Sequence, residues 1–197
     1  YERPKHPLQQ EVKRVVSEVC GADLSRAEIG IDGCSVPTFA LPLAALATGF
    51  ARLGKGKGLG TSRAKAARRL IEACFAEPVL MAGEGRFDTI VLSGLGPGVF
   101  AKGGAEGVHV AALPELGIGV AVKIDDGAKR GTETVLAHLL AALVPAAERV
   151  LAAQIKGEIT TWRGRRVGEL RLSEDLAATL ARLPNLLASP KERSRAS

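Results

Sequence analysis

Leu8, Val12, Val15, Val16 and Val19 recur at helical spacing, with Pro7 suited to a first turn and Gly21 placed to stop the run. This pattern predicts a helix from about Leu8. "AEIGID" reads as a short strand that runs into a turn at Asp32, and an Ala/Leu-rich helix is expected from Leu43 to Leu53, ended by the loop "GKGKGLG". Thr61 or Ser62 is expected to cap the next helix, which runs to about Phe75. Gly83, Gly85 and Arg86 form a turn before "FDTIVLS", whose apolar and β-branched residues fit either helix or strand.

The clearest pattern lies further on. Two β-rich runs, 107–113 and 118–124, flank "PELG" and predict an antiparallel hairpin. After "IDDG" a helix is expected from about Thr132, kinked or split at Pro145. "ITTWRGRRVGELRL" suggests a last hairpin or edge strand, and "SEDLAATLARL" one more helix before a frayed polar tail. Helices first, then a hairpin backed by a long helix, argue for an α+β fold with an antiparallel sheet flanked by helices.

Composition changes this picture little. The 197 residues are 46% hydrophobic and 24% charged, enough for one domain with a real core, and aromatics at 4% leave that core to Ala, Leu and Val. No apolar run approaches the roughly 20 residues of a membrane span, so no membrane partner is expected. The residues up to Arg14 are too polar for a secretory signal. Three cysteines, Cys20, Cys34 and Cys74, make no disulfide framework and point to a reducing, cytoplasmic setting; Cys20 and Cys74 read as core thiols. The net charge of +6 is concentrated between Arg52 and Arg69, with seven Lys or Arg and no acid, and again in the "SPKERSRAS" tail. Without a recognition motif this reads as solvated surface, and no nucleic-acid partner is expected.

Four stretches invite chemistry. "GKGKGLGTS" lacks the spacing of a phosphate-binding loop and follows a helix where that loop follows a strand. "SRAK", Ser62 to Lys65, has the S-x-x-K spacing that puts a hydroxyl and a lysine on one helix face, but it lies at a polar helix start where capping explains it. Asp32 and Cys34 flank a glycine on a stiff turn, and a carboxylate and a thiolate there can face one centre; a zinc site normally takes four ligands, so spacing alone leaves a structural turn. Lys102, followed by Gly103 and Gly104, puts an ammonium beside backbone that a ligand can approach closely, which suits an anion or a nucleophile's proton.

Together "YERPKHPLQQEV", "GIDGCSVPTFALPLAALA", "MAGEGRFDT", "AKGGAEGV" and "VKIDDGAKRG" resemble, in consistent order from Tyr1 to about Leu172, the C-terminal part of the L-asparaginase II family of rhizobial type. The resemblance implies a fold like the serine β-lactamases and glutaminases. It implies hydrolysis of L-asparagine, or a similar small amide, to L-aspartate and ammonia by a serine nucleophile with lysine bases. Lys102 would then contribute to the active site, with Gly103 and Gly104 against the substrate, and Asp32 and Cys34 would belong to a zinc site. The family's serine-x-x-lysine pair, its second serine and its other metal ligands, a cysteine and a lysine, have no counterpart in these 197 residues. The expectation is therefore a C-terminal portion of an asparaginase-type domain over 1–172, with a helix and flexible tail over 173–197. Such a portion, incomplete and inactive alone, would form a homo-oligomer or pair with a complementing N-terminal half. The alternative is a catalytically inactive module that binds a small amide or a protein.

Overall fold

A computed structural model describes residues 1–187; the polar tail expected beyond the last helix lies outside the described residues. Helix α1 (Pro7–Cys20) opens on Pro7, with the His6 imidazole accepting the Leu8 N–H, and ends at left-handed Gly21. A hairpin of β1 (Ile29–Ile31) and β2 (Pro37–Phe39) leads to α2 (Leu43–Lys55) and α3 (Thr61–Ala76). The ambiguous "FDTIVLS" is helical: a short α4 (Pro78–Ala82) turns at Gly83–Gly85 into α5 (Phe87–Leu95). The central sheet follows, β3 (Phe100–Gly103), β4 (Val108–Leu113) and β5 (Ile118–Lys123), antiparallel in the order β3-β4-β5. Then come α6 (Lys129–Leu143), α7 (Pro145–Val150), α8 (Ala152–Lys156), the hairpin of β6 (Glu158–Thr160) and β7 (Arg166–Glu169), and α9 (Glu174–Leu187).

The sheet is covered on both faces, which explains its nearly continuous apolar strands. His109, Ala111 and Leu113 of β4 point to one side, where α5 and α6 close the core around Val91, Leu136 and Leu140. Val110 and Ala112 point to the other, where α2 lies. That helix sits directly on backbone: a Cβ at Gly119 would fall 1.9 Å from the Ala47 carbonyl oxygen. The few aromatics work on this same side, Phe50 stacking on Phe100 and Phe75 meeting it edge-on, each with centroids 6.3 Å apart.

The architecture is the expected α+β arrangement of antiparallel sheet and flanking helices, with local corrections. Gly60, not Thr61 or Ser62, occupies the N-cap of α3, and no side chain caps it. Helix α6 starts three residues before Thr132, because Asp126 accepts the Ala128 N–H at 2.8 Å and organises the preceding turn. Pro145 splits the helix, one of the two outcomes expected there, since it can only begin a new first turn. Among the described residues no helix is long and apolar enough to cross a membrane.

Candidate active site

The end of β3 is where chemistry collects. Phe100 and Ala101 are buried, then the strand surfaces at Lys102 and runs out at Gly103 and Gly104. The pairing puts Gly103 opposite His109 and Lys102 opposite Val110, so the two residues leave the strand on opposite faces. Lys102 is exposed, and its ammonium turns onto the neighbouring Gly103 carbonyl at 2.6 Å. Both glycines and Lys102 line a cleft whose far wall is the first turn of α5 and whose floor is the start of α6. Its volume, about 120 Å³, falls below the roughly 300–1,000 Å³ of ordinary ligand pockets.

Two residues that sequence reasoning passed over hold this cleft together. Asp88 lies in the first turn of α5, where the helix favours a carboxylate. Its Oδ2 accepts the Gly103 N–H at 2.8 Å, and its Oδ1 lies 2.6 Å from His109 Nε2. One carboxylate therefore ties a helix to two strands. Asp88 is 8% exposed and His109 3%. Burial alone would push the Asp88 carboxyl up, but the bond from His109, the Gly103 amide, and the charges of His109 and Lys102 outweigh it and hold the carboxyl below its ordinary value. An ionised carboxylate can only accept, so the hydrogen between the pair belongs to Nε2. Phe87 meets the imidazole edge-on with centroids 5.1 Å apart and fixes its plane. Arg86, Lys129 and Glu133 complete the charged surround.

A signal for His109 did exist. It is the one polar side chain in "VHVAAL", and a histidine on the buried face of a strand needs a partner. Its partner is 21 residues away, and no local pattern names it.

Asp32 and Cys34 sit elsewhere, on the turn joining β1 and β2, and neither lines the cleft. The turn is closed by Asp32 N–H to the Val36 carbonyl at 3.0 Å and Ser35 N–H to the Asp32 carbonyl at 2.8 Å, with Ser35 left-handed at φ 70. Both side chains are exposed, and Cys34 Sγ lies 3.3 Å from Asp32 Oδ2. A cysteine and an aspartate this close suit zinc by type. They fall short by number: among the described residues no group of three His, Cys, Asp or Glu could hold a metal. Ser62 and Lys65 are both exposed on α3 and take no part in the cleft.

Comparison with known proteins places this geometry in context. The model of the L-asparaginase II family matches residues 1–172. No curated protein matches the chain. The family match runs through the β1–β2 turn, the Asp88 helix and the whole β3-β4-β5 sheet, most of the 197 residues. The chain belongs to the L-asparaginase II family.

Proposed function

We propose that this chain serves the hydrolysis of L-asparagine to L-aspartate and ammonia, with the small amide bound in the cleft at the end of β3. The observation that carries the reading is Lys102-Gly103-Gly104 at the rim of that cleft, within a chain of asparaginase type. In this reading the Gly103–Gly104 backbone lies against the substrate, and Lys102, acting as its neutral amine, takes the nucleophile's proton and returns it to the leaving nitrogen as the C–N bond breaks; water then releases the acyl group and restores the nucleophile. The nucleophile comes from outside the described lining. That lining includes no serine or cysteine, and its one hydroxyl, on buried Thr132, is committed to the Lys129 carbonyl at 2.9 Å.

The purified 197-residue chain should therefore bind L-asparagine, shifting the backbone amide resonances of Lys102, Gly103 and Gly104, yet release little ammonia by itself. Absence of those shifts at saturating amide would end the asparagine reading. Robust turnover that Ser62→Ala abolishes would place the nucleophile on α3 instead. A described lining without serine or cysteine also favours the second reading, a module that binds a small amide without turning it over. Persistent binding without ammonia release, even in the presence of a complementing segment, would select it.

For Asp32 and Cys34 the proposal is two ligands of an incomplete zinc site. Zinc bound there would supply Lewis acidity or hold the turn. The chain should bind Zn²⁺ weakly, and Cys34→Ala should remove most of that affinity, since losing a ligand from such a site typically costs it much of its hold. Equal Zn²⁺ uptake by Cys34→Ala and wild type would take the pair off the metal list.

A further inference from the structure

The pairing of Asp88 with His109 leaves one atom without an assigned task. When the imidazole is neutral, with its hydrogen on Nε2 engaged by Asp88 Oδ1 at 2.6 Å, its lone pair is on Nδ1. Nδ1 has no hydrogen-bond partner among the described residues, yet it is not sealed from solvent. His138, by contrast, holds its Nε2 fully buried and unpartnered. His109 is 3% exposed and lines the cleft, so what access Nδ1 has lies on the cleft side. An acceptor on a buried ring that opens only to the cleft takes its partner from whatever enters the cleft, water or ligand.

Gly103 is what keeps it open. A Cβ built on that residue would stand 3.4 Å from His109 Cε1 and 3.7 Å from Nδ1. Those are ordinary contacts, so a methyl group would fit there without strain and would lie over the imidazole edge. The sequence instead leaves the position bare.

The surround gives the vacancy a chemical sense. Arg86 and Lys129 offer only donors to a ligand, as does Lys102 in its ammonium form. The side-chain acceptors lining the cleft are Asp88, whose two oxygens are already engaged by His109 and Gly103, the hydroxyl oxygen of buried Thr132, Glu133, and His109 Nδ1. A ligand with a carboxylate and an N–H group finds cations for the first, and for the second it needs an acceptor.

We propose that His109 is a ligand-facing hydrogen-bond acceptor: Asp88 fixes the proton on Nε2, and Nδ1 receives an N–H or O–H donor of the bound molecule past the bare Gly103. This identifies the ligand as an amino acid or small amide only insofar as the function proposed above is right; the acceptor itself rests on the geometry alone. It adds a residue to the binding surface that neither motif spacing nor family resemblance brought forward.

The test uses the whole chain at mildly alkaline pH. Nitrogen-15 spectra of the imidazoles should show His109 protonated on Nε2 and bare on Nδ1. Diethyl pyrocarbonate, a small electrophile that attacks unprotonated ring nitrogens, should label His109 in the folded protein, read by mass on its peptide. His138 should stay unlabelled, and Gly103→Ala should lose the His109 labelling with an unchanged melting temperature. A hydrogen on Nδ1, or a His109 that resists the reagent in the folded wild type, overturns the proposal, and both are read without any variant. L-asparagine and L-aspartate are then titrated while the Nδ1 resonance is followed. A selective shift of that resonance, absent in Gly103→Ala, supports both the acceptor and the amide reading. An open, reactive Nδ1 that ignores both compounds sustains the acceptor and removes the amide as its ligand.

Discussion

Asp88→Ala should melt far below the wild type at neutral pH, a larger loss than any other single polar substitution around the sheet. The carboxylate has two clients on two strands, the Gly103 N–H at 2.8 Å and His109 Nε2 at 2.6 Å, the first half-buried and the second buried. Alanine would leave the buried His109 donor unpaired, an orphan that costs about 1–3 kcal/mol, and would free the half-buried Gly103 N–H as well. It would also remove a negative charge from the first turn of α5, where the helix dipole rewards one. The same residue sets an acid limb. Because the folded carboxyl lies below its ordinary value, the folded state takes up its proton less readily than the unfolded chain does. The Asp88 contribution is therefore whole above the unfolded carboxylate value of about 3.9, and it drains away as pH falls through the folded value. Melting curves collected from neutral to acid should show a wild-type decline that Asp88→Ala flattens. Equal melting temperatures at neutral pH would mean that the two bonds add nothing.

What was legible in the sequence follows from the range of the forces involved. The hairpin of β4 and β5 declared itself because two β-rich apolar runs and a Pro-Gly turn are local signals. α1 did so because five aliphatic residues share one face. β3 did not: it is four residues long, carries a lysine and a glycine, and exists because β4 supplies its hydrogen bonds. β2 contains Pro37 and α4 spans five residues, both too short for periodicity to speak. "FDTIVLS" carries little amphipathic pattern because α5 is packed between the sheet, α4 and α7, so that Phe87 to Leu92 are buried or half-buried whichever way they face. The site divides the same way. Lys102 could be singled out because two glycines follow it, a local oddity. Asp88 and His109 could not, since each is an unremarked polar residue until folding brings them together. The turn at Asp32 and Cys34 was legible as a turn, while the proposal of a metal there rests on family resemblance alone.

Lys102→Met should lower kcat by about 10²–10⁴-fold wherever the chain supports asparagine hydrolysis, the usual worth of a positioned proton-transfer group. The melting temperature should barely move. Methionine keeps the volume and stem packing of lysine, and the ammonium it removes is exposed and bonded only to the adjacent Gly103 carbonyl. Nothing in the fold leans on that bond. A ligand entering the cleft competes for the same ammonium, which needs only a rotation of its long stem to leave a carbonyl one residue away. The register places the lysine on the face of β3 opposite His109, so the two groups approach a ligand from different sides of the strand end. That arrangement predicts a division of labour in the kinetics. Loss of the His109 acceptor through Gly103→Ala should appear mainly in KM, as binding made equally in ground and transition states. Loss of Lys102 should appear in kcat, because proton transfer is needed only as bonds break. A solvated surface lysine would change neither constant, and a Lys102→Met protein with full kcat would remove the residue from the reaction.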